Sequence, residues 1–275
     1  MRLSRIRRIM LAAIVLLGWA QSPVARAETE VDLALVIAVD ISFSMDPEEQ
    51  ALQREGFIQA FRSPAVHDAI RRGMIGRIGV TYVEWAGASD QRVVLPWAIV
   101  DGPDSAAAFA AELSLKPTRR ASRTSISGAI DFARQQLAQS DLAPTRKVID
   151  VSGDGPNNQG RAVTLARDEA IESGITINGL PVMVKDPGYF DITDLDLYFR
   201  ECVIGGPGAF MVPVRSREQF VEAVKTKIIM EVAARPVPGR AAERDGAGLV
   251  IPAQAPGRSP NCYAGESQWR DRMGN

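Results

Sequence analysis

The sequence is poor in the side chains that soft metals and nucleophilic catalysis need, since its 275 residues include two cysteines and one histidine. Zinc clusters are built from several Cys and His ligands, so the chain does not hold one. Two cysteines also exclude a disulfide-dense scaffold. Because His67 is the single histidine, Ser-His-Asp or Cys-His catalysis requires that one residue in the right place. The phosphate-binding pattern G-x-x-x-x-G-K-[ST] is absent as well, which leaves no P-loop.

Long hydrophobic runs are also missing. The apolar run 9–20 has twelve residues, well short of the ~20 that span a bilayer as a helix. It follows the basic residues 1–8 and precedes residues 25–27 (ARA), which have the small-x-small form of a cleavage site. This order predicts a secretory signal peptide over residues 1–27, with an uncleaved membrane anchor as the alternative.

The near-balanced charge, 32 Lys and Arg against 33 Asp and Glu, depends on this first segment. Residues 1–27 contain five Arg and no acid, so the chain without them has 27 basic and 33 acidic residues and a net charge of −6. Acidic proteins are poor candidates for binding nucleic acid or anionic membranes. We therefore expect a periplasmic or secreted protein that binds no nucleic acid and has no membrane span once the signal peptide is removed.

Residues 28–235 alternate apolar runs with amphipathic segments. The run 31–39 is nearly continuous in aliphatic residues, as in a strand buried on both faces. Further strands are expected at 77–85 and 92–100 (a pair joined by a polar turn), 146–152, 175–184 and 209–214, and helices after Asp46 and at 104–114, 125–139, 161–173, 194–203 and 216–232. Such alternation implies parallel connections, so we predict an α/β fold with a doubly wound, Rossmann-like, mostly parallel central sheet flanked by helices.

Residues 236–275 differ in composition, being rich in Pro, Gly and Arg, and predict an extended, weakly ordered C-terminal tail. Cys202 and Cys262 have two interpretations in an oxidising compartment. They form one disulfide that fastens the tail to the domain, or they are two free thiols.

Polar residues stand at strand ends or helix starts in three places: residues 40–44 (DISFS), 123–125 (RTS) and 152–155 (SGDG). Ligands of open α/β sheets bind beyond the carboxyl ends of the strands. Carboxylate and hydroxyl oxygens are the donors that Mg²⁺ prefers. The three segments together predict an all-oxygen cation site, and the alternative is that they are only helix caps and a turn.

The ordered set DISFS, TSISGAI and VSGDG resembles the von Willebrand factor type A (VWA) domain and its metal-ion-dependent adhesion site. In that family a DxSxS motif supplies an aspartate and two serines, and a later threonine and aspartate complete the protein's share of the ligands. The resemblance covers about residues 31–232 and implies a VWA-like fold. The residues that match the motif are Asp40, Ser42, Ser44, Thr124 and Asp154.

The resemblance implies binding rather than catalysis. The site is expected to hold Mg²⁺, with Mn²⁺ or Ca²⁺ as the other candidates, and to leave one coordination position for an acidic residue of a protein partner. Family domains also change affinity by shifting the last helix, here the one predicted at 216–232. Whether this domain does so is left open by the sequence.

A second resemblance rests on residues 198–210 (YFRECVIGGPGAF), which are similar to an exported bacterial family of VWA-like proteins of unassigned function. The segment 185–208 departs from the adhesion domains. It is either a specificity loop beside the ion or a connection between elements.

Two alternatives accompany the binding hypothesis. A haloacid-dehalogenase-like, Mg²⁺-dependent phosphatase also places an aspartate after its first strand and uses a GDGxND motif, to which residues 153–158 (GDGPNN) come close. That class needs a second acid where this chain has Ser42, and an acid where it has Asn158; a hydroxyl does not replace a carboxyl as general acid. The other alternative is a structural exported protein with a vestigial metal site.

Overall fold

The computed structural model describes residues 28–185, 192–233, 251–252 and 260–273. The predicted signal peptide, residues 1–27, lies outside the described residues, as does most of the predicted tail. Within the part of the chain that is described, no helix has the length and apolar character needed to cross a membrane.

The central strand is β1 (Thr29–Asp40), which corresponds to the continuous apolar run of the sequence. Leu33 and Leu35 pack into the core on one face of the sheet, and Val36 and Ala38 pack into the core on the other. Successive side chains of a strand point to opposite faces, so a strand covered on both sides has apolar residues at both sets of positions.

The other described strands join β1 in one sheet. They are β2 (Ile78–Trp85), β3 (Gln91–Val100), β4 (Leu142–Gly153), β5 (Ile175–Pro181), β6 (Phe210–Met211) and β7 (Ile251–Pro252). The strand order is β3-β2-β1-β4-β5-β6-β7. Only the outermost pairs, β2 with β3 and β6 with β7, are antiparallel among the described strands. The predicted doubly wound, mostly parallel sheet and its 77–85/92–100 strand pair are therefore confirmed.

Helices cover both faces of the sheet. In chain order they are α1 (Pro47–Arg62), α2 (Pro64–Arg71), α3 (Pro103–Leu115), α4 (Ile126–Ala138), α5 (Val163–Glu172), α6 (Leu195–Tyr198), α7 (Phe220–Ala233) and α8 (Ala264–Met273), with a π-helical turn at Phe199–Val203. Helices α1, α2, α3 and α7 cover the face of Leu33. Helices α4, α5 and α6 and the π-helical turn cover the face of Val36.

The connection from β1 leads to β2 on one side of the sheet, whereas the connection from the neighbouring strand β4 leads to β5 on the other side. In the register of these strands Asp40 lies opposite Trp85, and Val39 lies opposite Ser152. The carboxyl ends of β1, β2 and β4 therefore meet at one edge. This is a topological switch point, where open α/β sheets bind their ligands.

Two C-terminal elements differ from the expectation. The helix predicted at 216–232 begins at Phe220, because Arg217 forms an ion pair with Glu48 of α1 and its carbonyl accepts the N–H of Phe220 in a turn (3.2 Å). Residues 216–219 (SREQ) have the spacing of a capping box, but Ser216 lies four residues before the helix and is not its N-cap. Helix α8 lies within the stretch expected to be an extended tail.

A disulfide joins Cys202, in the π-helical turn, to Cys262, with the two Cα atoms 5.5 Å apart. Cys202 is fully buried. The bond holds the start of the last described segment, residues 260–273, against the core on the α4–α6 side of the sheet.

Candidate metal centre

A chain of hydrogen bonds joins four of the five predicted ligands where β1 and β4 end. The backbone N–H of Ser42 donates to Oδ1 of Asp40 at 2.7 Å, and the hydroxyl oxygens of Ser42 and Ser44 are 2.7 Å apart. The hydroxyl of Ser44 donates to Oδ1 of Asp154 at 2.6 Å. The DISFS and SGDG segments, far apart in sequence, thus meet at one point.

Asp40 is buried completely, and its Oδ2 has no hydrogen-bond partner among the described residues. Burial raises the pKa of the Asp40 carboxyl well above its usual range, and the nearby charge of Asp154 raises this pKa further. A buried carboxylate oxygen without a partner is costly unless a positive charge satisfies it. Gly153 leaves the space beside this oxygen open, since a Cβ there would lie 2.9 Å from Oδ2.

The helix caps in these loops use neighbouring residues. Asp46 caps α1 by a capping box: the N–H of Glu49 donates to Oδ1 of Asp46 at 2.8 Å, and the N–H of Asp46 donates to Oε2 of Glu49 at 2.8 Å. Ser125 caps α4 by accepting the N–H of Gly128 at 3.1 Å. Ser44 and Thr124, the candidate ligands that precede these two caps, are therefore not capping residues.

Thr124 lies in a loop that is fastened to both other segments. The N–H of Ala121 donates to the carbonyl of Ile41 at 2.9 Å. The N–H of Thr124 donates to Oδ1 of Asn158 at 2.9 Å, and the N–H of Asn158 donates to the Thr124 carbonyl at 2.8 Å. The loop of Thr124 is thus tied by backbone hydrogen bonds to Ile41 and Asn158, whereas the other four candidates are joined through their side chains.

Lys185 is a residue of this site that the sequence did not indicate. Its ammonium group donates to the carbonyl of Ser44 at 2.7 Å, lies 3.9 Å from Oδ2 of Asp154 and forms an ion pair with the buried Glu49. Lys185 is also the first residue of the 185–208 segment, so that segment begins beside the site. No sequence motif indicates that Lys185 belongs to the site, because its position at the ends of β1 and β4 depends on the tertiary fold.

The donors of the site are carboxylate and hydroxyl oxygens, and they fit a hard divalent cation. The described residues contain no group of three His, Cys, Asp or Glu side chains that could hold a metal ion, so a soft-ligand site is not formed by them. Mg²⁺ takes one or two protein carboxylates, accepts other oxygen ligands and keeps several waters. The unpartnered oxygen of Asp40 and the adjacent Asp154 meet this requirement.

Two residues bear on the catalytic alternatives, His67 away from the site and Ser42 within it. Nε2 of His67 is 2.7 Å from the carbonyl oxygen of Phe61, within the α1–α2 region. Ser42 stands where the phosphatase motif needs its second acid, and its hydroxyl is paired with Ser44. A hydroxyl at this position does not replace a carboxyl as general acid.

The sheet order and this cluster define the class of the protein, a VWA-like domain, and solved structures share the fold. Proximal thread matrix protein 1 from the mussel byssus is similar with a TM-score of 0.54 and 13% identity, over 75% of this chain and 49% of that chain. A von Willebrand factor type A protein from Catenulispora acidiphila has a TM-score of 0.51 and 14% identity, over 74% and 43%. The pilus adhesin SpaC from Lactobacillus rhamnosus GG has a TM-score of 0.55 and 11% identity, over 74% and 31%.

This chain thus spans less than half the length of each of these proteins, and identities this low show the fold alone. Another structure of the mussel protein, with a TM-score of 0.51 and 12% identity over 75% of this chain and 47% of that one, has zinc in its metal-ion-dependent adhesion site. The comparison with curated proteins finds no match. The chain belongs to the family described as "Protein of unknown function (DUF1194)", whose model matches residues 30–236.

Proposed function

We propose that the protein binds one divalent cation, Mg²⁺ before Mn²⁺ or Ca²⁺, at the switch point between β1 and β4. The observation that carries the proposal is the buried, unpartnered Oδ2 of Asp40, which faces the open side of Gly153 and lies near a second carboxylate. The proposed ligands and their water-mediated partners are Asp40, Ser42, Ser44, Thr124 and Asp154. Zinc favours nitrogen and sulfur ligands, whereas this donor set is oxygen throughout.

Through this cation the domain engages a protein partner that supplies an acidic residue. Three of the five proposed ligands are neutral hydroxyls, and where Asp40 and Asp154 act through water the groups that coordinate the ion directly leave it electrophilic toward an outside carboxylate. Phe43 lies between the two serine ligands and is 60% exposed, with the guanidinium of Arg120 5.3 Å from its ring centroid. An exposed aromatic ring and an arginine are typical of the residues that anchor protein interfaces.

We propose a binding role and no catalytic one. Assay of the mature protein with p-nitrophenyl phosphate and Mg²⁺ distinguishes the two. We expect no turnover above buffer, and robust turnover that disappears in Asp40→Asn would instead support the haloacid-dehalogenase-like alternative.

We propose export and cleavage after Ala27, with function in the periplasm or outside the cell. The Cys202–Cys262 disulfide supports this location, because such bonds persist in oxidising compartments. Mass spectrometry of the protein recovered from its natural host should show a chain that begins at Glu28. A full-length chain that retains residues 1–27 would contradict the proposal.

The partner is tested by capture from an envelope extract on immobilised mature protein. We expect at least one protein to be retained in Mg²⁺ and released by a chelator, and to be absent when the bait is Asp40→Asn. Asp68→Asn is the matched control, because Asp68 is an exposed carboxylate on α2 that pairs with Arg71. Capture that is indifferent to the chelator and to Asp40→Asn would overturn the proposed mode of binding and favour the vestigial-site alternative.

A further inference from the structure

Helix α8 packs on the loop that follows Asp154. Gly265, in its first turn, comes so close that a Cβ there would lie 2.1 Å from the carbonyl oxygen of Asn157. The Nδ2 group of Asn157 donates to Oε1 of Glu266 at 2.7 Å. The disulfide at Cys262 fixes the chain two residues before the helix begins.

Asn157 connects this helix to the rest of the site. It is fully buried, and its Oδ1 accepts the N–H of Ser127 in the first turn of α4 at 3.0 Å. Its own N–H donates to the hydroxyl of Tyr198 at 3.1 Å. One side chain therefore joins the Asp154 loop, the start of α4 and α8, so movement of α8 changes the surroundings of both metal-site loops.

Arg123 supplies a second, independent connection. It is the one non-glycine residue with positive φ among the described residues, at 77°, and it directly precedes Thr124. Such a backbone conformation costs about 1–3 kcal/mol unless the surroundings enforce it. The guanidinium carbon of Arg123 lies 3.3 Å from the ring centroid of Trp269 on α8, a cation–π contact that offsets part of this cost.

We propose that α8 is a clamp that positions the Thr124 and Asp154 loops for the cation, with Trp269 and Glu266 as positioning residues and the Cys202–Cys262 disulfide as the tether. The cation-binding part of this inference rests on the proposed function. Trp269 holds Arg123 in its left-handed conformation, and Glu266 holds the side chain of Asn157. Loss of the Trp269–Arg123 contact, of the Glu266–Asn157 hydrogen bond or of the disulfide would make the Thr124 and Asp154 loops more mobile. Cation binding would then weaken although no ligand is removed.

The clamp itself is tested without metal, by hydrogen exchange of residues 121–128 and 153–158 in a chelator. Trp269→Ala and the double variant Cys202→Ser/Cys262→Ser should exchange about ten-fold faster there than the wild type, since locally opened segments lose protection. Tyr263→Ala is the matched control, because Tyr263 is an exposed aromatic residue beside the same helix. Exchange that is unchanged in Trp269→Ala would overturn the clamp, whether or not the disulfide variant folds.

The link to the cation is tested by calorimetric titration of the same proteins with Mn²⁺. We expect Trp269→Ala to raise the Kd about ten-fold, the size of effect seen when groups that orient metal ligands are removed, and Tyr263→Ala to leave it unchanged. An unchanged Kd in Trp269→Ala would overturn the positioning role. A wild-type protein that bound no cation would instead overturn the proposed function, and the exchange experiment would still decide on the clamp.

Discussion

At the scale of single residues, the surroundings of Asp40 disfavour the ionised form of its carboxyl group. The carboxyl group is buried, Asp154 lies nearby, and one oxygen has no partner among the described residues. Groups of this kind destabilise a fold unless they serve a ligand. The proposed cation would offset the cost of burying an acid at the end of β1.

Gly153→Ala tests the space that this site requires. The new Cβ would lie 2.9 Å from Oδ2 of Asp40 and 3.4 Å from the ring of Trp85, so we expect weaker cation binding and a loss of about 1–3 kcal/mol of unfolding free energy. Calorimetry and denaturant unfolding measure the two effects. Gly155→Ala is the control, because a Cβ there meets nothing within 4 Å. Equal effects of the two substitutions would contradict the account.

Lys185→Met tests the role of the lysine that lies over the site. Its ammonium group is 3.9 Å from Oδ2 of Asp154, so it repels a cation bound beside that oxygen. A unit charge and a divalent ion about 4 Å apart repel by about 2 kcal/mol in water before salt screens them. We expect Mg²⁺ to bind about two- to five-fold more tightly to Lys185→Met at low salt, with a smaller difference at high salt. Lys225→Met is the control, because Lys225 forms a surface ion pair with Glu222 on α7. Weaker binding in Lys185→Met would show that the lysine supports the site.

The sequence was sufficient to place four of the candidate ligands together, because DISFS and SGDG follow strands that become neighbours in the sheet. It was not sufficient for Lys185, whose contact with Ser44 depends on the path of the chain after β5. It also gave no sign of the positive φ at Arg123. Both features come from tertiary packing, which a local pattern does not report.

At the scale of elements, β1 and α1 followed from local rules, whereas α8 did not. The unbroken apolar run predicted a two-sided strand and Asp46 predicted a helix start, and in the structure Asp46 and Glu49 form a capping box there. The sequence of α8, AGESQWRDRM, has no apolar stripe that marks a helix. Its position depends on a disulfide, a cation–π contact and the hydrogen bond from Asn157, none of which has a periodic signal.

Helix α7 carries a buried charge cluster against the sheet. Lys227 forms ion pairs with Asp150 of β4 and with Glu231 one turn later on the helix, and Asn178 of β5 donates to Glu231 at 3.2 Å. The backbone carbonyl of Glu231 also accepts a hydrogen bond from Arg146 (2.7 Å). Burial and the neighbouring charge of Asp150 raise the pKa of Glu231 to about 7. Two carboxyls thus share one ammonium group in the core.

This cluster predicts a pH dependence of stability. Between the usual pKa of Glu, 4.5, and about 7, the folded state keeps a proton on Glu231 that the unfolded state releases. The unfolding free energy therefore falls as pH rises through this window, by at most about 1.4 kcal/mol per pH unit. Glu231→Gln should flatten this slope in denaturant unfolding between pH 5 and 7. Glu222→Gln, on the exposed side of the same helix, should not, and identical slopes for both variants would contradict the assignment.

At the scale of the whole molecule, the order of the strands brings three short motifs together at one edge of the sheet. The alternation of strands and helices predicted the doubly wound sheet, and the switch point between β1 and β4 follows from the strand order. The strand predicted at 209–214 is present as the shorter β6, Phe210–Met211. The two-residue strand β7 and the start of α7 at Phe220 were not predicted, because a short pairing at a sheet edge and a turn before a helix leave weak local patterns.

The central claim is that the Asp40 cluster binds a divalent cation, and calorimetric titration of residues 28–275 with Mg²⁺ tests it most directly. We expect one site in the wild type and in Asp68→Asn, and none in Asp40→Asn or Thr124→Ala. Because Asp40 is buried without a partner for Oδ2, Asp40→Asn should unfold at the same or a higher temperature than the metal-free wild type, which separates lost binding from lost fold. A wild-type protein that binds neither Mg²⁺ nor Mn²⁺, or an Asp40→Asn variant that binds as well as the wild type, would contradict the account.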